Sequence, residues 1–164
     1  LVDCSKKYGN HGCNGGLMDG AFEYAIDNGM CMEDEYPYTA AGGECHTCNT
    51  VVTMSGCVDV TPNNQVDLTE AVATGPVSVA IEADTRTFQM YTGGVITSSA
   101  CGTSLDHGVL VVGYGAESNT DYWLVKNSWG PSWGEDGYVK IERSSSTNDE
   151  GICGIAMQPS YPVV

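Results

Sequence analysis

Positive charge is scarce in this sequence. Six Lys and Arg stand against 21 Asp and Glu in 164 residues, a formal net charge of −15. Nucleic-acid binding relies on Lys and Arg to neutralise phosphates, so that class of partner is disfavoured. No apolar run approaches the ~20 residues of a membrane-spanning helix, and no membrane span is expected. The N-terminus has no basic stretch followed by an apolar one, so no signal peptide is read there. Metal-ligand pairs are equally thin. Cys45-His46-Thr47-Cys48 is a CxxC with no second CxxC to complete a four-ligand zinc site, and no βαβ pattern surrounds it as in a thioredoxin-like motif. No metal or other cofactor is expected, and no internal repeat is visible.

What is present can build a core: 41% of the residues are hydrophobic, and the length suits a single domain or two small lobes. Eight cysteines point to an oxidising compartment, although eight allow 105 connectivities and sequence alone does not choose among them. The acidic excess reads as a solvated surface. It also fits an acidic organelle, lysosomal or vacuolar, where partial protonation relieves self-repulsion, and the two readings are compatible.

Local pattern divides the chain near residue 58. Residues 1–16, rich in Gly, Asn and Cys, read as a loop with turns. Leu17, Met18, Ala21, Phe22 and Ala25 follow helical spacing, which predicts a helix from Leu17 to Asn28 with Asp19 at its positive end and Gly29 as C-cap. Residues 30–56 read as an irregular, cystine-stapled region with a short strand over Val51 to Met54. Beyond it, a short helix is predicted over Val66 to Ala73, stopped by Gly75-Pro76. Val77, Val79 and Ile81 alternate with Ser78, Ala80 and Glu82 as in a half-buried strand. One or two helical turns are expected over Thr85 to Tyr91, strands over 107–114, 121–127 and 137–142, and an exposed loop over Ser144 to Asn148.

Two of those strands carry one polar residue each at an end: His107 opens Leu105-Asp106-His107-Gly108-Val109, and Asn127 closes Tyr122-Trp123-Leu124-Val125-Lys126-Asn127-Ser128-Trp129-Gly130. Paired side by side, such strands could bring imidazole and carboxamide together. That pair is two-thirds of a Cys-His-Asn arrangement, in which the ring takes the proton of a thiol nucleophile. Taken singly, His107 reads as a core histidine and Asn127 as a strand-end residue bonding its own backbone; the two contexts together favour chemistry.

With Leu1-Val2-Asp3-Cys4-Ser5, Gly12-Cys13-Asn14-Gly15-Gly16-Leu17-Met18-Asp19, Glu35-Tyr36-Pro37-Tyr38, Gly75-Pro76-Val77-Ser78-Val79-Ala80-Ile81, Trp133-Gly134, Gly137-Tyr138, Cys153-Gly154-Ile155-Ala156 and Ser160-Tyr161-Pro162, the chain resembles papain-like cysteine proteases of the cathepsin L group, in the family's order throughout. The resemblance implies an α+β, two-lobe fold with the active-site cleft between the lobes. This chain would supply part of it: residues 1–58 the later part of the helical lobe, 59–160 nearly all of the β-barrel lobe, and 161–164 the crossover back. It implies catalytic roles for His107 and Asn127, with Trp129 lying over their hydrogen bond and Trp133 structural. It implies substrate backbone pairing along Gly15 and Gly16, and a pocket for the second residue before the scissile bond formed by Leu17, Met18, Ala80, Leu105 and Gln158, with Asp106 also at the substrate site. As bare sequence Leu17, Met18 and Leu105 would be assigned to the core. The disulfides implied are Cys4–Cys45 and Cys101–Cys153; the family partner of Cys13 lies near the nucleophile, and the resemblance assigns no position to Cys31, Cys48 or Cys57.

In this family the nucleophile sits in C-G-[SA]-C-[WY], with the histidine roughly 130–150 residues downstream. No such motif occurs here, and His107 has 106 residues before it. The nucleophile, and the glutamine side chain and backbone N–H of the oxyanion hole, are therefore expected on a preceding segment, covalently attached or a separate chain. The expected function is that of an endopeptidase acting on peptide or protein substrates, lysosomal, vacuolar or extracellular. The alternative is a non-catalytic papain-like module within an assembly, for which an intact His107, Asn127 and Trp129 would have no use. A cystine-braced binding domain unrelated to proteases would explain the cysteines but not the ordered motifs. A polypeptide of these 164 residues alone is expected to be inactive. Intact-mass analysis after treatment with an active-site-directed thiol epoxide should show no adduct, and peptide substrates should remain uncut; stoichiometric labelling with turnover would refute this.

Overall fold

The computed structural model describes all 164 residues. They divide into two compact units: Leu1–Val58 with Pro162–Val164, and Asp59–Tyr161.

The first unit is built on one helix, α1 (Met18–Asn28), preceded by two 3-10 turns at Ser5–Tyr8 and Gly12–Asn14. Asp19 lies in the first turn of α1, and Gly29 follows its last residue at φ 70°. The helix starts one residue later than the apolar spacing predicts. Leu17 is its extended N-cap and is 66% exposed, so its place in the helical pattern does not make it core. The buried positions of α1 are the small residues Gly20 and Ala25. The strand expected over Val51 to Met54 does not form; Val52 makes a single bridge to Met30. That region is held instead by side chains. Glu35 accepts from the backbone and side-chain N–H groups of Asn49 at 3.0 and 2.9 Å, and Asp3 accepts from Tyr36 Oη at 2.8 Å and Gly43 N–H at 2.6 Å.

Disulfides join Cys4 to Cys45 and Cys31 to Cys48 in this unit, and Cys101 to Cys153 in the other. The Cys31–Cys48 bridge is one for which the family resemblance supplied no partner.

In the second unit α2 (Gln65–Thr74) begins at Asn64, whose Oδ1 accepts from the N–H groups of Val66 and Asp67, both at 3.1 Å. Such a cap satisfies donors that a helix start leaves unpaired. Strand β2 (Val77–Ile81) buries Val77, Val79 and Ile81 completely, as its alternation requires. After the short helix α3 (Arg86–Gln89) come β3 (Val95–Ile96), β4 (His107–Glu117), β5 (Thr120–Lys126) and β6 (Tyr138–Glu142). With β1 (Gly56–Asp59) and β7 (Ser160–Val163), they form one sheet in the order β1-β7-β2-β4-β5-β6-β3. The pairs β2–β4, β4–β5 and β5–β6 are antiparallel, and β3–β6 is parallel. Strand β4 runs three residues beyond its expected end because β4 and β5 close through Ser118 and Asn119, both at positive φ (50° and 66°). Two-residue hairpin turns need that conformation. The core centres on Trp123, Phe88, Leu68, Ile81, Ile141 and Ile155, all fully buried.

A polar chain crosses this apolar core. Gln65 is 1% exposed, yet its Oε1 accepts from Trp123 Nε1 at 3.2 Å and Ser144 N–H at 2.9 Å, while its Nε2 donates to Asp149 Oδ2 at 2.7 Å. Ser144 Oγ donates to the same Asp149 oxygen at 2.7 Å, and Gly151 N–H to the other at 2.9 Å. The segment expected as an exposed serine-rich loop is thereby tied to α2 and β5. The Ser144 hydroxyl first, and then the Gly151 amide, hold the Asp149 carboxyl below its ordinary 3.8. A lowered folded pKa stabilises the fold fully above the unfolded value, and that contribution is lost as pH falls through the folded one. Asp149→Asn should therefore lower the melting temperature at pH 6, with the gap to the parent narrowing below about pH 4. Thermal melts across that range test this, and a gap unchanged down to pH 2 would show that the carboxylate charge contributes nothing.

Candidate active site

His107 is the first residue of β4, where it pairs with Ile81 of β2. Asn127 follows the last residue of β5, and its backbone N–H donates to Gly137 O at 3.0 Å ahead of β6. Backbone pairing on both sides thus fixes where the two side chains start. The β4–β5 register shifts between Val111 and Gly113, a bulge of the kind that re-aims a strand beside a site.

His107 Nε2 and Asn127 Oδ1 are 2.8 Å apart. The same Oδ1 accepts from Ser128 N–H at 2.8 Å. An oxygen held this way meets the ring only as an acceptor, so Nε2 carries a proton and Nδ1 is the nitrogen left for a reacting group. Asn127 is 7% exposed, and its Nδ2 is buried without a hydrogen-bond partner. Turning the amide over would set its NH₂ against the Ser128 N–H, donor facing donor, and leave the oxygen without that partner. A buried donor without a partner costs ~1–3 kcal/mol, which the site carries in order to fix the ring.

Trp129 stacks on the His107 ring with centroids 5.1 Å apart and planes at 30°. Its other contacts are edge-on: Trp133 at 5.2 Å and Phe88 at 5.5 Å. Trp133 packs against the core and donates from Nε1 to Gln89 O at 3.2 Å. Trp129, 40% exposed, is thus held between the buried Phe88, the half-buried Trp133 and the imidazole.

Asp106 reaches back rather than outward. Its carboxylate accepts from Ala83 N–H at 2.7 Å and Asp84 N–H at 3.2 Å, and its own N–H donates to Ile81 O at 3.0 Å. These bonds pin the end of β2 to the start of β4. Ala80 lies opposite Gly108 in the same pairing and is half-buried. Leu105 is half-buried against Gly154, and Met157, which the sequence pattern did not single out, borders the same glycine; a Cβ on Gly154 would touch both side chains. Gln158 is exposed.

Gly15, Gly16, Leu17 and Met18 belong to the other unit. Gly15 to Leu17 are exposed, with Met18 half-buried. A residue outside the sequence motifs holds this segment. Asn10, 9% exposed, accepts from Leu17 N–H at 2.9 Å and donates to Ser5 Oγ at 3.1 Å. A Cβ on Gly16 would run into the Asn10 amide, so this position requires glycine. Nothing in the local pattern around Asn10 distinguishes it from a turn residue.

A sequence profile of the family described as papain family cysteine protease matches residues 1–163. Germination-specific cysteine protease 1 of Arabidopsis thaliana is 51% identical over 99% of this chain, which spans 44% of that relative. The Oryzain beta chain of Oryza sativa subsp. japonica is 54% identical over 99% of the chain, which spans 35% of it. The chain therefore covers less than half the length of these curated relatives. Among solved structures, the bromelain protease from Ananas comosus in complex with the E64 inhibitor matches with a TM-score of 0.92 and 42% identity, over 99% of this chain and 75% of that one. The Amb a 11 cysteine protease, a major ragweed pollen allergen, in its proform matches with a TM-score of 0.92 and 40% identity, over 99% and 45%.

Proposed function

Because this chain belongs to the papain family of cysteine proteases, we propose that it carries the His–Asn part of a Cys-His-Asn endopeptidase. The observation that carries the reading is the 2.8 Å contact between His107 Nε2 and Asn127 Oδ1, with Trp129 stacked on the ring. His107 Nδ1 takes the proton of a cysteine thiol elsewhere in the protein and stands as imidazolium beside thiolate. Neighbouring positive charge is what makes a cysteine nucleophilic near neutrality. The thiolate adds to the scissile carbonyl, and the imidazolium returns the proton to the leaving amine. Asn127 keeps Nδ1 aimed at the thiol through both steps, and Trp129 keeps water off the hydrogen bond, which strengthens it.

The same reading assigns residues 1–58 to the later part of the helical lobe, 59–160 to the β-barrel lobe and 161–164 to the crossover. The change of unit after Val58 and the return at Pro162 support it. Gly15 and Gly16 offer backbone to an extended substrate by strand addition. Ala80 and Leu105 receive the second side chain before the cut bond, with Gln158 at that pocket's floor, and the family resemblance assigns Asp106, and Leu17 and Met18 of the other unit, to substrate binding as well. The partners are a peptide or protein substrate and the segment bearing the nucleophile, covalent or separate. Three disulfides and a net charge of −15 support a vacuolar, lysosomal or extracellular setting. No helix is long and apolar enough to cross a membrane.

In the full-length protein His107→Ala should lower kcat by roughly 10³-fold and Asn127→Ala by roughly 10²-fold, with KM little changed, since general acid–base groups contribute about 10²–10⁴. Steady-state kinetics decide; a rise in KM with kcat retained would remove His107 from the chemistry. At the pocket, Leu or Phe should exceed Arg in kcat/KM, because an uncharged Gln158 does not offset the burial of a guanidinium. Gln158→Glu should raise Arg cleavage as pH passes the glutamate's ordinary value of about 4.3. Cleavage of a positional peptide library at several pH values is the test, and equal or better cleavage after Arg by the parent would displace Gln158 from the pocket.

A further inference from the structure

The CxxC that makes neither a zinc site nor a thioredoxin motif holds two different bridges. Cys45 is bonded to Cys4 and Cys48 to Cys31. Four residues of irregular chain thus carry both cross-links of the first unit. All four cysteines line one open cavity of about 710 Å³, together with Tyr36 and His46. Cys45 is exposed and the other three are half-buried. The His46 ring lies flat on Tyr36, centroids 3.8 Å apart and planes at 12°, a contact of this loop that involves no sulfur atom.

We propose that Cys45-His46-Thr47-Cys48 is a thiol–disulfide switch, in which a two-electron reduction closes a Cys45–Cys48 bridge and releases Cys4 and Cys31 as thiols. The reductant is a dithiol. One of its thiolates attacks Cys4 Sγ and expels Cys45 as thiolate; its second thiolate resolves the mixed disulfide, so the dithiol leaves oxidised and Cys4 becomes a thiol. The Cys45 thiolate then attacks Cys48 Sγ. The Cys45–Cys48 bond forms, the Cys31–Cys48 bond breaks, and Cys31 leaves as thiolate. The two protons of the dithiol end on Cys4 and Cys31, and two disulfides become one. Entry through Cys31–Cys48 reaches the same product. The bridges given up span 41 and 17 residues, whereas the one formed spans three. A thiolate three residues from its target has a short loop to close, so exchange competes with a second external reduction.

The released end is coupled to another part of the unit. Cys4 precedes the buried Ser5, whose Oγ accepts from Asn10, which in turn accepts from Leu17 N–H. Freeing Cys4 therefore loosens the support under Gly16 and Leu17. The switch itself stands apart from the protease reading, since disulfide mapping follows it without any turnover.

The full-length protein is equilibrated in buffers of reduced and oxidised dithiothreitol, acid-quenched, blocked with N-ethylmaleimide and mapped by mass spectrometry without further reduction. Under mild reduction the Cys4–Cys45 and Cys31–Cys48 peptides should be lost in equal proportion. Maleimide should appear on Cys4 and Cys31, and a peptide with an internal Cys45–Cys48 bridge should rise with it. Labelling of Cys4 with Cys45, or Cys31 with Cys48, without the internal bridge would overturn the proposal. Cys31→Ala leaves a Cys48 thiol three residues from Cys45 of the Cys4–Cys45 bond; recovery of both Cys4–Cys45 and Cys45–Cys48 peptides in oxidising buffer supports exchange, and Cys4–Cys45 alone refutes it. If that variant does not fold, the parent titration decides. Amide hydrogen exchange at Leu17 should quicken in the switched form, and an unchanged rate would refute the coupling through Ser5 and Asn10.

Discussion

The pairing of β4 on both of its edges is the constraint on which the His–Asn site depends. Val77 to Ile81 run against one side of β4, and Thr120 to Lys126 against the other. A one-residue slip in either ladder would turn side chains to the opposite face of the sheet. Val109 and Val111 would leave the core, and His107 would leave Asn127. The apolar alternation that buries the strands therefore also sets the register of the site. Asp106 reinforces it at the strand's first residues by taking the two N–H groups that follow β2.

Around this frame the site concentrates small, local costs. The unsatisfied Asn127 amide and the 40% exposure of Trp129 are each unfavourable alone. Both follow from holding one ring nitrogen as a donor while the other stays open. Phe88 and Trp133, buried or packed on the core, give Trp129 a rigid backing. Farther along β6, Lys140 pairs with Glu117 at 2.7 Å and Glu135 at 2.9 Å, and Glu135 also accepts from Tyr91 Oη at 3.1 Å. Burial pushes the Tyr91 hydroxyl up to about 12, so it remains a neutral donor beside that carboxylate. Scarce cations are thus spent where several acceptors converge.

Periodicity made the regular elements legible. The Val-Ser-Val-Ala-Ile alternation became β2, and Asn64 with Gly75 bounded α2 within a residue of expectation. His107 and Asn127 were legible only together: each alone reads as an ordinary strand-end residue, and the pair of contexts, Asp106-His107-Gly108 and Asn127-Ser128-Trp129, singles them out. What escaped depends on distant partners. Val51 to Met54 has strand-like composition but only Met30 opposite it, and a lone bridge does not make a ladder. The Ser118-Asn119 turn lacks the glycine that usually marks such hairpins. Leu17 fits the helical stripe yet precedes the helix. Cys31–Cys48 joins positions with no local signal of proximity, and Gln65 reads as a surface residue until Trp123, Ser144 and Asp149 surround it.

The β4–β5 hairpin has the His107–Asn127 pair at one end and its turn at the other. Eleven residue steps at roughly 3.4 Å each place the start of the Ser118-Asn119 tip ~37 Å along the strand from His107. Nothing between them needs the tip to keep its length, since the ladders fix the register. The tip can therefore be lengthened or decorated at little cost, and a fluorophore or fused peptide grafted there would ride on the molecule while leaving the imidazole undisturbed.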